Sequence, residues 1–213
     1  MITVTALNNV PAFARGLVRD LRVRWALEEA GQPYAPRLLG MDELAGTGHR
    51  ALQPFCQVPT YEEDGLALFE SGAIVLHIGA GSPALLPDDP AGRARATAWA
   101  FAALNTVEPP IMQLAQLDFF HAGEAWVAGA RPGVMAAVRR RLDQLAAWLG
   151  QDDYLEGRFT AADLLMASVL RNLRQTDLVD ERPVLQAYLR RCEARPAFGR
   201  ALAAQMAGFD AAC

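Results

Sequence analysis

Residues 79–90, GAGSPALLPDDP, gather glycine, proline and aspartate between two stretches of different hydrophobic periodicity, and this break constrains the fold more than any other feature. Before it, short apolar runs alternate with helical patterns. After it, every periodic segment reads as helix. Such a chain is expected to form two units, an α/β unit at 1–80 and an all-α helical-bundle unit at 91–213, joined by a linker at 81–90. With 213 residues, 52% of them hydrophobic, the chain carries enough apolar surface for two small cores.

In the first unit, residues 2–7 alternate with period two, as a strand does. Residues 17–30 place Val18, Leu21 and Trp25 on one helical face, and Gly31 supplies a stop. A second short strand is expected at 34–39, and a weak helix at 43–52 interrupted by Gly46 and Gly48. Strands at 60–63 and 66–69 flank Asp64-Gly65, a pair suited to the positive φ angles of a tight hairpin turn. A helix at 71–78 completes a βαβ–αββα order. Beyond the linker, helices are expected from 93 to 104 and past a kink at Pro109-Pro110, then at 133–149, 161–174, 184–194 and 197–206. Thr160 with Asp163 three positions on forms a capping box at the head of a very apolar helix, a folding role worth about 1–2 kcal/mol.

Several classes of partner are disfavoured. A net charge of −4 without single-sign blocks offers no basic face to nucleic acid or anionic lipid. The start, MITVTALNNV, lacks the pattern of a signal peptide, and no apolar run nears the roughly 20 residues that span a bilayer, so a cytoplasmic location is expected. Cys56, Cys192 and Cys213 are far apart and outside any metal spacing, so reduced thiols are the expectation, and His49, His77 and His121 add no metal pattern. Trp99, Trp126 and Trp148 read as core or interface anchors.

The chemistry concentrates in Gln53-Pro-Phe-Cys-Gln-Val-Pro59 and in Glu70-Ser71. A Val58-Pro59 step entering a strand is a candidate cis peptide that would turn the Val58 N–H and C=O outward, where an extended peptide ligand can pair with them. Ser71 opens a helix, offering a hydroxyl, free amides and a positive dipole end to a carboxylate, and Glu70 can take an amino group. Each alone has an ordinary reading as strand entry, N-cap or solvated acid. Together they describe a receptor for a short peptide with an α-amino acid head.

The run QPFCQVPTYEEDGLALFESGAIVLHI resembles the glutathione-binding half of the glutathione transferase superfamily, and YLEGRFTAADLLMASVL resembles that family's helical-domain signature. RVRWALEEAG and YLRRCEARPAF are similar to its first and late C-terminal helices. The resemblance implies a thioredoxin-like domain, a helical domain, a homodimer and glutathione as cosubstrate. By position, it implies that Val58 pairs with the cysteinyl backbone, Pro59 is the cis proline, Gln57 approaches the glycyl end, and Glu70 and Ser71 hold the γ-glutamyl end. A second, apolar substrate would sit between the domains, near Asn105, Glu108, Met112 and His121, none of which selects a chemistry.

Two departures from the family pattern stand out. Cys56 occupies a position where much of the family has glycine; it can serve as a small apolar filler or form a mixed disulfide with glutathione. The larger departure is that residues 8–25, NNVPAFARGLVRDLRVRW, contain no Tyr, Ser, Cys or Thr where the family places its thiol-activating group. Activation remains physically accessible: lowering a thiol pKa from about 8.5 to about 6.5 takes near 2.7 kcal/mol, at about 1.36 kcal/mol per unit. One charge-assisted hydrogen bond supplies about 1.5–3 kcal/mol. Asn8, Asn9, Arg15 or backbone N–H groups can provide it. The segment FARGLVRDLRVRWALEE is also similar to a bacterial group in this superfamily that lacks the usual tyrosine and uses other loop residues, including a Phe matching Phe13. The catalytic candidates are therefore Arg15 and Asn9, with Phe13 shaping the pocket. The expected function is transfer of the glutathione thiolate to an electrophilic apolar small molecule in a detoxification role; the alternatives are a glutathione-dependent peroxidase or disulfide reductase, and a non-enzymatic interaction protein.

Overall fold

The structure, a computed structural model, describes residues 1–210; Cys213 lies outside the described residues. The chain divides into two compact units, Met1–Asp88 together with the described residues from Ala194 onward, and Asp89–Glu193.

The first unit is built on a four-stranded sheet in the order β2-β1-β3-β4. Strand β1 (Ile2–Leu7) pairs in parallel with β2 (Tyr34–Leu39) and antiparallel with β3 (Thr60–Glu63), which forms a hairpin with β4 (Leu66–Phe69). The hairpin closes through Asp64 at φ 48° and Gly65 at φ 86°, the positive pair its sequence requires. A parallel β1/β2 pair joined by helix α1 (Asp20–Ala30), followed by an antiparallel pair leading into helix α3 (Ser71–Ala80), is the thioredoxin-like arrangement. As a central strand β1 is buried on both faces, and its Thr5 hydroxyl is satisfied by the Thr60 hydroxyl at 3.0 Å and by the Thr60 N–H at 2.6 Å.

The first unit departs from the sequence reading in several places. Helix α1 begins at Asp20 instead of residue 17, because 17–19 belong to the turns leaving the preceding loop. The weak helix at 43–52 splits at Gly46, whose extended ψ of 150° ends a 3-10 turn (Glu43–Ala45) before helix α2 (Thr47–Leu52). The residues between α3 and the next helix are not a solvated tether: Leu85 and Leu86 are buried, and a Cβ at Gly79 would lie 3.0 Å from Leu86 Cγ. The link is packed against α3.

The second unit is a helical bundle. Helix α4 (Pro90–Ala102) is capped by Asp89, which accepts from Gly92 N–H at 2.6 Å, and runs through a π-helical turn (Ala103–Val107) into α5 (Glu108–Ala115). The turn precedes Pro109 and Pro110, which have no N–H to return to carbonyls one turn back, so the register loosens there. Helix α6 (Val127–Leu149) starts six residues before the expected 133 and carries Pro132 within it. Helices α7 (Ala161–Leu170) and α8 (Pro183–Glu193) complete the unit. No helix among the described residues is long and apolar enough to cross a membrane.

Helix α9 (Pro196–Asp210), read from the sequence as part of the helical unit, groups with the first unit and packs along α1. The reason is chemical complementarity. Phe198 packs edge-on against the fully buried Trp25 at 4.8 Å, Arg195 makes a two-pronged ion pair with Glu29 at 2.6 and 2.7 Å, and Arg200 reaches Glu28 at 2.6 Å. The tryptophans also sort differently. Trp126 and Trp148 are exposed and neither is a core residue, although Trp148 packs on half-buried Trp99 at 5.1 Å.

The capping box at α7 is present and larger than its two residues. Thr160 Oγ1 accepts from Ala162 N–H, while the buried Asp163 carboxylate accepts from the N–H groups of Thr160 and Leu155 and from the Tyr188 hydroxyl at 2.9, 3.0 and 3.1 Å. Burial pushes the Asp163 carboxyl above its usual range, and these donors pull against that shift. Asp163→Ala would leave several buried donors short of an acceptor, so it is expected to cost about 3 kcal/mol, more than a simple cap. Chemical denaturation checks this; a loss below about 1 kcal/mol would show that the network is not needed.

Candidate functional site

The loop from Gln53 to Pro59 is held from within. The buried Gln53 side chain accepts from Phe55 N–H at 2.6 Å, and Cys56 N–H returns to the Gln53 carbonyl at 3.1 Å. His49, buried on α2, hydrogen-bonds through Nε2 to the Gln57 carbonyl at 2.8 Å. The loop then enters β3 through a cis Val58-Pro59 peptide. Gln57 is exposed, Val58 half-buried and Pro59 buried. Cys56 sits at φ 56°, in the left-handed region that glycine occupies without cost. Its thiol is half-buried.

Glu70 and Ser71 lie where β4 turns into α3. Glu70 is exposed and adopts φ 69°, ψ 110°, a conformation that costs of order 1–3 kcal/mol for a residue with a side chain. Its carbonyl accepts from Ile74 N–H, so the helix starts directly on it. Ser71 is the first helical residue and is buried, with its hydroxyl accepting from Arg22 Nη1 at 3.3 Å.

Arg22 was not among the candidates read from the sequence. It reaches Ser71 from α1 while itself buried, bringing a cation beside the positive end of α3. The signal was present in DLRVRW: two arginines inside a helix buried all round need partners, and only the packing of α1 on α3 says which.

The candidate catalytic loop follows β1. Asn8 is half-buried and donates its backbone N–H to the Leu39 carbonyl at 3.0 Å, and Asn9 is exposed. Half-buried Phe13 lies in a 3-10 turn, Ala12–Ala14, and Arg15 follows it. The Arg15 guanidinium packs 5.6 Å above the ring of buried Phe209 on α9. Gln205, one turn earlier on α9, donates to the Val18 carbonyl at 3.1 Å and to the Asp20 carboxylate at 2.6 Å. Helix α9 thus braces both ends of the segment from Arg15 to Asp20. Sequence periodicity did not find this, because the partners lie about 185 residues apart.

The residues considered for a second substrate lie in the helical unit. Asn105 is exposed, Glu108 buried and Met112 half-buried. His121 bonds Glu124 at 2.8 Å. Among the described residues, no group of His, Cys, Asp and Glu is arranged to hold a metal ion.

Comparison with known proteins agrees with this geometry. Residues 9–80 match the glutathione S-transferase N-terminal domain and residues 109–196 the glutathione S-transferase C-terminal domain. A glutathione transferase from Burkholderia graminis, solved with two glutathione molecules bound per subunit, is 27% identical over 94% of this chain and 87% of its own, with a TM-score of 0.83. A possible glutathione S-transferase from Rhodopseudomonas palustris is 25% identical over 93% of this chain and 88% of its own, with a TM-score of 0.78. At 24% identity, a glutathione transferase from Pseudomonas putida, solved with one glutathione disulfide per subunit, shares the fold over 94% of this chain and 90% of its own, with a TM-score of 0.82. With both domains matched in order and the sheet, cis-proline and capping box in place, this chain belongs to the glutathione transferase superfamily.

Proposed function

We propose that this protein binds glutathione as cosubstrate and transfers its thiolate to an electrophilic carbon of a small apolar molecule. The observation that carries the reading is the arrangement at Glu70-Ser71: a buried hydroxyl at the head of α3, with the Arg22 guanidinium 3.3 Å away, suits the α-carboxylate of a γ-glutamyl group. The exposed Glu70 carboxylate complements the adjacent ammonium. The backbone of Val58, ahead of cis Pro59, pairs with the cysteinyl residue as an added strand, and exposed Gln57 takes the glycyl end. His49 serves this loop by fixing the Gln57 carbonyl. In the reaction the thiol proton leaves to solvent, the sulfur forms a bond to carbon, and the leaving group departs with its electron pair.

Asn9 and Arg15 supply the polarity that lowers the thiol pKa, and Phe13 shapes the pocket. Exposed Asn9 offers an amide without losing a partner in the fold. Arg15, held on the Phe209 ring, contributes its charge through the local field. A second reading, glutathione-dependent disulfide reduction, is favoured by the two glutathione molecules per subunit in the Burkholderia relative. Half-buried Cys56 is close in sequence to Val58 and suits a mixed disulfide in that reading.

Calorimetric titration with glutathione is expected to give saturable binding that Ser71→Ala weakens about tenfold or more. No binding would end both enzymatic readings in favour of an interaction protein, and unchanged affinity in the variant would misplace the anchor. Turnover of an aryl halide against turnover of a disulfide separates the two reactions.

Thiolate absorbance of bound glutathione tests activation. Asn9→Ala and Arg15→Ala are each expected to raise the thiol pKa by about one unit, equivalent to about 1.4 kcal/mol. An unmoved titration clears that residue of the role.

A homodimer is also proposed, supported by an exposed apolar patch on the first unit. Phe55 is 67% exposed, Leu66 42% and Phe69 38%, with the two rings 6.3 Å apart. Sedimentation velocity is expected to show a dimer that Phe55→Ser shifts toward monomer; a monomeric unaltered chain refutes it.

A further inference from the structure

His49 lies on α2 with 7% of its surface exposed, and its Nε2 is 2.8 Å from the Gln57 carbonyl oxygen. A carbonyl oxygen only accepts, so Nε2 carries a proton and donates. The other ring nitrogen, Nδ1, is buried and meets no hydrogen-bond partner among the described residues. For packing alone an apolar side chain of similar size would serve better, because a buried nitrogen without a partner costs stability. The residue is therefore explained by the bond it makes, not by the space it fills. That bond ties down the second half of the loop, whose first half is already held by the Gln53 side chain and by the return of Cys56 N–H to the Gln53 carbonyl.

The Gln57 carbonyl and the Val58 N–H belong to one peptide unit. It is trans, and in a planar trans peptide the N–H points opposite to the C=O. With the carbonyl drawn to His49, the Val58 N–H is turned away from α2, and it donates to no acceptor among the described residues. We propose that His49 is a positioning residue for glutathione: by holding the Gln57 carbonyl it fixes the plane of the Gln57–Val58 peptide and so aims the Val58 N–H at the carbonyl of the cysteinyl residue. The inference rests on the glutathione reading above and adds the source of the loop's preorganisation. Without the bond, the peptide plane can rotate in the free protein, and the ligand must stop that rotation when it binds, at a cost in affinity.

Calorimetric titration with glutathione and thermal melting of the full chain, His49→Leu and His49→Gln test the assignment. His49→Leu is expected to weaken glutathione about tenfold while melting no lower than the unaltered chain, a split that a purely structural histidine would not give. His49→Gln, whose side-chain amide can replace the ring donor, is expected to recover most of the affinity. Nitrogen-15 spectra of the unaltered chain are expected to place a proton on Nε2 of His49. Undiminished affinity in His49→Leu, or a ring protonated on Nδ1 alone, would overturn the assignment and leave the glutathione reading in place. Affinity and melting temperature falling together in His49→Leu, with no recovery in His49→Gln, would reduce His49 to a structural residue and overturn it as well. An unaltered chain that does not bind glutathione would overturn both.

Discussion

Helix α1 is buried from Asp20 through Leu27, and three of those eight residues are charged. Removing an ion from water costs several kcal/mol unless partners replace the solvent, so the position of α1 dictates much of what surrounds it. Asp20 and Arg24 form a buried pair at 2.7 Å one turn apart, and Gln205 from α9 donates to the same carboxylate. Arg24 also lies 5.8 Å over the Tyr34 ring, and Arg22 is directed to Ser71. The last helix packs here because it carries the groups that α1 requires: an amide for Asp20, arginines for Glu28 and Glu29, and a ring for Trp25.

That constraint connects the fold to the proposed chemistry. Arg22 acts at the head of α3 only because α1 packs on that helix, and Arg15 has its orientation because α9 brings Phe209 beneath it. Binding and activation thus draw on different supports. The elements proposed to bind glutathione sit on strand and helix ends fixed by sheet pairing. The loop proposed to activate the thiol depends on braces from a helix far along the chain, and in that proposal it offers an amide and a guanidinium. Such groups can supply the 2–3 kcal/mol or so that a thiolate needs, provided the loop is held still.

The helical unit is organised on a different principle. Its central element α7 is buried at every position, and one carboxylate at its head satisfies two amides and a tyrosine hydroxyl. At the other end of α7 arginines outnumber acids around a cavity. Water is excluded at the head of the helix, where the buried polar groups find their partners inside the protein; Arg174, Asp180 and Arg190 at the other end are exposed.

What could be read in advance was local. The strand alternation of 2–7, the Asp64-Gly65 turn, the Val58-Pro59 and Glu70-Ser71 steps and the Thr160–Asp163 box each depend on neighbours within a few residues, where backbone geometry and side-chain type leave few choices. The sequence by itself therefore determined the element order, the two-part organisation and the glutathione-site candidates. Tertiary structure alone decided that α9 joins the first unit, that Arg22 meets Ser71 and that Arg15 rests on Phe209. Those outcomes come from pairing buried charges and rings across long stretches of chain, and no periodicity encodes which distant residue will answer a buried charge.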